Sequence, residues 1–258
     1  MRKGAKKFNS DSAAARFFAA ALALCVWQAG AMALGNDLLL VTPIAVARRL
    51  CELIVTADFW ATLGFTFSRI SLGFLLALAL AGIFAALSAA VPFIETLLRP
   101  YVAAIQSVPV ASFIVIAFLW LSARRLSTFI AFLMVFPVLY TNLLQGIRAA
   151  DRNLLEMADV FRLSPVRRVR CIYLPALRGP LFAGCRVALG LCWKAGVAAE
   201  VIGVVAQSVG GRLYDAKAYL EIADLFAWTV VIVAVSALFE RVFLFLLGKI
   251  FDALEHAV

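Results

Sequence analysis

Four stretches of this chain run for about the width of a bilayer without a single charged side chain: Phe17 to Gly35, Ile70 to Ile94, Pro100 to Ala123 and Leu126 to Ile147. Roughly 20 apolar residues in helical conformation cross the hydrocarbon core, so each run predicts a transmembrane helix. Two further apolar stretches carry charges. Arg186, Lys194 and Glu200 interrupt the one from about Gly179 to Val205, and Glu240 and Arg241 the one from about Asp224 to Gly248. Hydrophobic residues make up 65% of the 258 and charged residues 15%, more apolar surface than a soluble domain of this size can hide. The expectation is an all-α integral membrane protein with about six transmembrane helices. They form one membrane domain over 17–250, between a basic N-terminus, 1–16, and a short tail, 251–258.

Cytoplasmic loops accumulate Lys and Arg, which orients the spans. With the N-terminus inside, the cytoplasmic side collects Arg2, Lys3, Lys6, Lys7, Arg16 and Arg99. It also takes the seven arginines from Arg148 to Arg178, and Arg241 and Lys249. The opposite side holds fewer: Arg48, Arg49, Arg124, Arg125, Arg212 and Lys217. Both termini are predicted cytoplasmic, and the +9 net charge follows this topology rather than nucleic-acid binding. A basic start, an apolar core and Ala29-Gly30-Ala31 also fit a cleavable signal peptide. Cleavage would leave five spans in the same orientation.

Missing chemistry narrows the function. The one histidine, His256, stands near the end of the chain, so no nucleophile has an obvious base. The nearest spacing to a phosphate-binding loop, Gly179 to Gly184, is followed by Cys185-Arg186 instead of Lys-Ser/Thr. No catalytic residue, cofactor or metal site is predicted. The five scattered cysteines read as small hydrophobes, without disulfides. Any nucleotide-derived energy must reach the chain through a partner.

The long polar segment 148–178 looks built for one. Asp151 is placed to cap a helix in which Leu154, Leu155, Ala158 and Phe161 recur at helical spacing. Ser164 then caps a second, with Pro165 at its first position, Val166, Val169, Ile172 and Tyr173 as an apolar stripe, and Leu174-Pro175 as its end. Two amphipathic helices lying on the inner leaflet, arginines toward anionic lipid, remain an alternative.

The order Glu156-Met157-Ala158, Ser164-Pro165, Ile172-Tyr173-Leu174-Pro175 resembles the EAA loop of ABC importer permeases, in particular the nitrate, sulfonate and taurine branch. Arg69-Ile70-Ser71-Leu72-Gly73-Phe74, Arg99-Pro100 with Val108-Pro109, Ala188-Leu189-Gly190, Trp193-Lys194, Ala198-Ala199-Glu200 and Gly210-Gly211 are similar to further stretches of that branch, in order. The resemblance implies a type I importer permease fold, and a loop 151–173 that docks in a groove of a cytosolic ATPase dimer. It further implies a second copy of the permease and a periplasmic or lipid-anchored solute-binding protein on the outer side, in a bacterial-type inner membrane. The chain departs from the pattern at Arg162, where the loop carries Gly, at Met157, where it carries Ala, and at Ile114, near a usual proline. Arg at a positive-φ position costs on the order of 1 kcal/mol, or else the turn shifts.

Charges inside spans cost about 2.5–3.5 kcal/mol each unless they face protein or water. Arg69, Arg186, Lys194 and Glu200, with Gln106 and Ser107, are therefore candidates either for the solute pathway or for structural pairing within the bundle. Ser112, Tyr140, Thr141 and Asn142 share the first possibility. More cations than anions in that set suits an anionic solute. The segment from about Gln207 to Ala223 reads as an outer solvated hairpin. An ATP-driven permease working by alternating access is the resulting expectation, with a self-contained ion-coupled transporter as the alternative.

Overall fold

The structure is a computed structural model that describes residues 13–36 and 38–256. The charged N-terminal residues Arg2, Lys3, Lys6 and Lys7 lie outside this range, as do the side chains of Arg16 and His256. Among the described residues all regular structure is helical: α1 (Ala13–Leu34), α2 (Pro43–Ile54), α3 (Ala57–Ala90), α4 (Pro92–Ser107), α5 (Val110–Phe118), α6 (Ala123–Arg148), α7 (Arg152–Val160), α8 (Pro165–Arg168), a π turn (Val169–Tyr173), α9 (Leu174–Ile202), α10 (Val209–Ala218) and α11 (Ile222–His256). Five segments are long and apolar enough to cross a membrane: α1, α3, α6, the continuous helix Pro165–Ile202, and α11.

The expected third span, Pro100 to Ala123, is not one helix. Its residues divide between α4 and α5, which meet at a bend of 103°. Pro109 is the cause: it forces Val108 into an extended conformation (φ −85°, ψ 134°) and breaks the ladder. A sixth crossing is made only if this bent pair counts as one.

At the centre α6 packs along α3 on one side and α9 on the other. On α3, Ile70, Phe74, Ala77, Ala81 and Ala85 recur at helical spacing and are fully buried against Ala131, Val135 and Leu139 of α6 and Cys185, Ala188, Leu189, Cys192 and Trp193 of α9. Small residues let the backbones approach. A Cβ on Gly73 would stand 2.5 Å from the Thr128 carbonyl oxygen, so this crossing requires glycine. α11 joins through aromatic edges, Phe243 against Phe74 at 4.9 Å and Phe239 against Phe67 at 5.3 Å.

α1 and α11 lie at the periphery, with most of their apolar surface uncovered. The amphipathic α2, capped by Thr42, ties to the start of α11 through a forked Arg49–Asp224 ion pair. Asp224 first and Glu52 second push the Arg49 guanidinium further above its ordinary pKa.

Candidate functional site

Between α6 and α9 the polar segment forms a compact reversal. Asp151 accepts a hydrogen bond from the Asn153 amide at 2.8 Å and starts α7. The helix ends in a Schellman motif: the Leu163 amide bonds the Ala158 carbonyl at 2.9 Å, and the Arg162 amide bonds that of Asp159 at 3.1 Å. Its left-handed residue is Arg162, with φ +48°. The turn has therefore not shifted to accommodate Arg162. The arginine adopts the conformation for which glycine is suited, and an Arg168–Asp159 ion pair clasps the two arms of the reversal.

The second expected helix is not short. Leu174-Pro175 does not end it, because Pro165–Ile202 runs on as a single span. Pro175 has no amide to give the carbonyl four residues back, and its ring would clash there. The chain widens into the π turn Val169–Tyr173, where the Leu174 amide reaches the Val169 carbonyl. Ile172 is buried and Leu174 half-buried against the core, so these two anchor the reversal to the bundle.

The remaining apolar residues face outward. Ala158 is buried, yet Leu154, Met157, Val160, Phe161, Val166 and Val169 are exposed, Val160 at 80% and Phe161 at 70%. Glu156, Ser164, Pro165 and Pro175 are exposed as well, and Glu156 pairs with Arg152 at 3.3 Å. The sequence-based stripe divides: Ala158 is buried and Leu155 half-buried, whereas Leu154 and Phe161 are exposed. It missed Met157 and Val160, whose spacing of three along α7 carried the signal.

The candidate pathway residues do not all gather at one place. Gln106 joins Tyr140 and Thr141 around a 460 Å³ cavity between α4 and α6, lined also by Glu95, Arg99 and Arg148. A two-pronged Arg148–Glu95 ion pair spans it. Ser107 donates to its own helix, at the Ala103 carbonyl, and Asn142 likewise to Val138. Arg186 is exposed and sits 3.8 Å from Glu240. Lys194 is exposed and makes no ion pair among the described residues. Arg69, inside α3 rather than at its start, stacks over the Phe65 ring at 4.0 Å.

Glu200 is different: it is fully buried. One carboxylate oxygen accepts from the Thr66 hydroxyl at 2.9 Å and from the Gly210 amide at 3.2 Å. Thr66 in turn accepts from the Val209 amide at 2.9 Å, and Ser208 caps Gly211 at 2.9 Å. Together these three side chains satisfy the first amides of α10. The segment expected to be a solvated hairpin is thus a docked helix with a buried start. Gly210 permits the contact, since a Cβ there would collide with Glu200 and lie 2.7 Å from the Val201 amide nitrogen. The Glu200–Gly210 spacing of ten residues, across a turn, is invisible to periodicity.

The profile of the family described as "Binding-protein-dependent transport system inner membrane component" matches residues 78–254. A Bacillus subtilis protein named as an aliphatic sulfonates transport permease, SsuC, is 28% identical over 221 residues, covering 84% of this chain and 79% of that one. The riboflavin transport system permease protein RibX of Chloroflexus aurantiacus is 28% identical, with 85% of each chain covered. The bicarbonate transport system permease protein CmpB of Synechocystis is 28% identical, over 71% of this chain and 65% of its own. In fold, a crystal structure of an amino acid ABC transporter with histidines superposes with a TM-score of 0.55 at 18% identity, over 81% of this chain and 98% of that one. With the family profile spanning more than half of its length, the chain belongs to the binding-protein-dependent transport system inner membrane components, the permease subunits of ABC importers.

Proposed function

We propose that this permease couples to a cytosolic ABC ATPase dimer through the 151–173 reversal, and that two copies of the chain rock between inward and outward openings to pass a solute into the cytoplasm. The observation that carries this reading is the apolar surface on α7 and its turn, where Leu154, Met157, Val160 and Phe161 stand exposed beside Glu156. Exposed large apolar residues gathered on one short helix mark a surface made to be covered by protein. Glu156, Met157, Arg162, Ser164 and Pro165 form its polar and turn-defining part, Ala158, Ile172 and Leu174 hold it to the bundle, and Pro175 sets the π turn that leads into the span.

This places the reversal, both termini and the tail 251–258 in the cytoplasm, and α2 and α10 on the side served by a solute-binding protein. An anionic solute suits the surplus of Arg69, Arg186 and Lys194 over Glu200, and two relatives are named for anions, sulfonates and bicarbonate. The test is purification of the complex from native membranes in mild detergent, with identification of what stays bound. A P-loop ATPase in stoichiometric amount, lost on Glu156→Lys or Phe161→Asp, is the expected result. Solute-stimulated ATP hydrolysis at the normal rate in both variants would sink the coupling role. The bound ligand of the co-purified binding protein decides the solute.

A further inference from the structure

Toward the end of α3 and α6 away from the coupling reversal lies a second groove, of which the transport reading uses only the charge of Arg69. It has a volume of about 680 Å³ and runs between the two helices. Leu72, Leu76 and Leu80 line it on α3, and Phe129 and Phe132 face them from α6. One end carries Arg69 and Arg125, with Ser68 and Thr128 beside them. Arg69 has a buried Nε without a hydrogen-bond partner. Neither Arg69, Arg125 nor the adjacent Arg124 makes an ion pair among the described residues, and Arg124 repels Arg69 through space. Glu200 attracts Arg69 only through space, without an ion pair between them, and one of its oxygens is held by Thr66 and Gly210.

The groove has the dimensions of one leaflet. From Ser68 to Leu80 a helix rises about 18 Å, close to the roughly 15 Å half-thickness of the hydrocarbon core. From Arg69 to the end of α3 at Ala90 the rise is about 31 Å, so the guanidiniums stand at one membrane interface when Ala90 stands at the other.

We propose that this groove holds an anionic phospholipid, its phosphate between Arg69 and Arg125 and one acyl chain along Leu72, Leu76 and Leu80. Guanidinium groups recognise phosphate by paired hydrogen bonds, and an acyl chain fills an apolar slot of one leaflet's depth. A second copy of the chain is the rival occupant. Of its two uncovered spans, α1 contains no acidic residue, and Asp224, Glu240 and Asp252 of α11 are already paired with Arg49, Arg186 and Arg178, so among the described side chains neither brings a free carboxylate to the two arginines.

The experiment is a lipid titration of the purified, delipidated complex by native mass spectrometry, with phosphatidylglycerol against phosphatidylcholine. One phosphatidylglycerol per chain is expected to bind in preference. Arg69→Gln with Arg125→Gln should weaken it roughly thirty-fold, Arg69→Lys with Arg125→Lys should restore most of it, and Leu76→Trp should block it with both charges in place. Equal binding of the two lipids overturns the proposal. So does loss by charge removal alone with full retention in Leu76→Trp, especially if inorganic phosphate then competes, since that marks a bare anion contact. A groove closed to lipid in the wild-type complex and cross-linked through Leu76→Cys to another chain assigns it to the second copy. The readout is lipid retention, so it stands or falls separately from ATPase coupling.

Discussion

The helix Pro165–Ile202 is bracketed by two turns of the same backbone form and opposite side-chain chemistry. It is entered through Arg162, at φ +48°, and left through Val204, at φ +45°. Each turn closes the preceding helix with the same pair of bonds, Leu163 to Ala158 in one and Val205 to Glu200 in the other. Around Arg162 the polar groups are exposed and ion-paired, and apolar side chains point outward. Around Val204 the order is reversed: Glu200, Thr66 and Ser208 are buried and spend their hydrogen bonds on the amides of α10. One end turns its polar groups inward onto its own backbone. The other leaves surface for another protein to cover.

If that contrast is right, removing the buried acceptor has the largest effect on stability. Glu200→Leu strands the Thr66 hydroxyl and the Gly210 amide, at about 3 kcal/mol for the two. The purified complex should melt roughly 10 °C lower, and an unchanged melting temperature would show that the network contributes nothing. Gly210→Ala forces a methyl into Glu200 and the Val201 amide, and should cost about 2 kcal/mol by the same assay. At the other end Phe161→Asp should leave melting untouched yet weaken ATPase binding by about 2 kcal/mol, read as a dissociation constant. A lowered melting temperature there would mean that Phe161 serves the fold instead.

The smallest effects come from the turns themselves. Val204→Gly relieves a β-branched residue from a left-handed conformation and should stabilise by about 1 kcal/mol. Arg162→Gly should stabilise by roughly 0.5 kcal/mol. Only the second should also alter solute-stimulated ATP hydrolysis, and a change in both or neither erases the distinction between the two ends.

Much of this was legible in the residues. Long uncharged runs located α1, most of α3, and α6, because crossing a bilayer is a matter of length and polarity that local sequence alone expresses. The order from Glu156 to Pro175 located the reversal, and Asp151 its first cap. Arg162 was legible as a conflict, an arginine at a glycine position, but not as its outcome: adopting φ +48° depends on bonds from Leu163 and Arg162 back to Ala158 and Asp159.

What the sequence determined by itself is the class of protein, the rough placement of most of its apolar helices, and the motif that ties it to importer permeases. Each follows from patterns confined to a window of chain. Only the tertiary structure decided that Pro109 bends one expected span by 103°, whereas Pro175 is absorbed in a π turn without interrupting another. Only it showed that Glu200 is spent on α10 while Lys194, six residues earlier, stays exposed. Proline and charge have several local solutions of similar energy, and packing against helices far away in sequence selects among them.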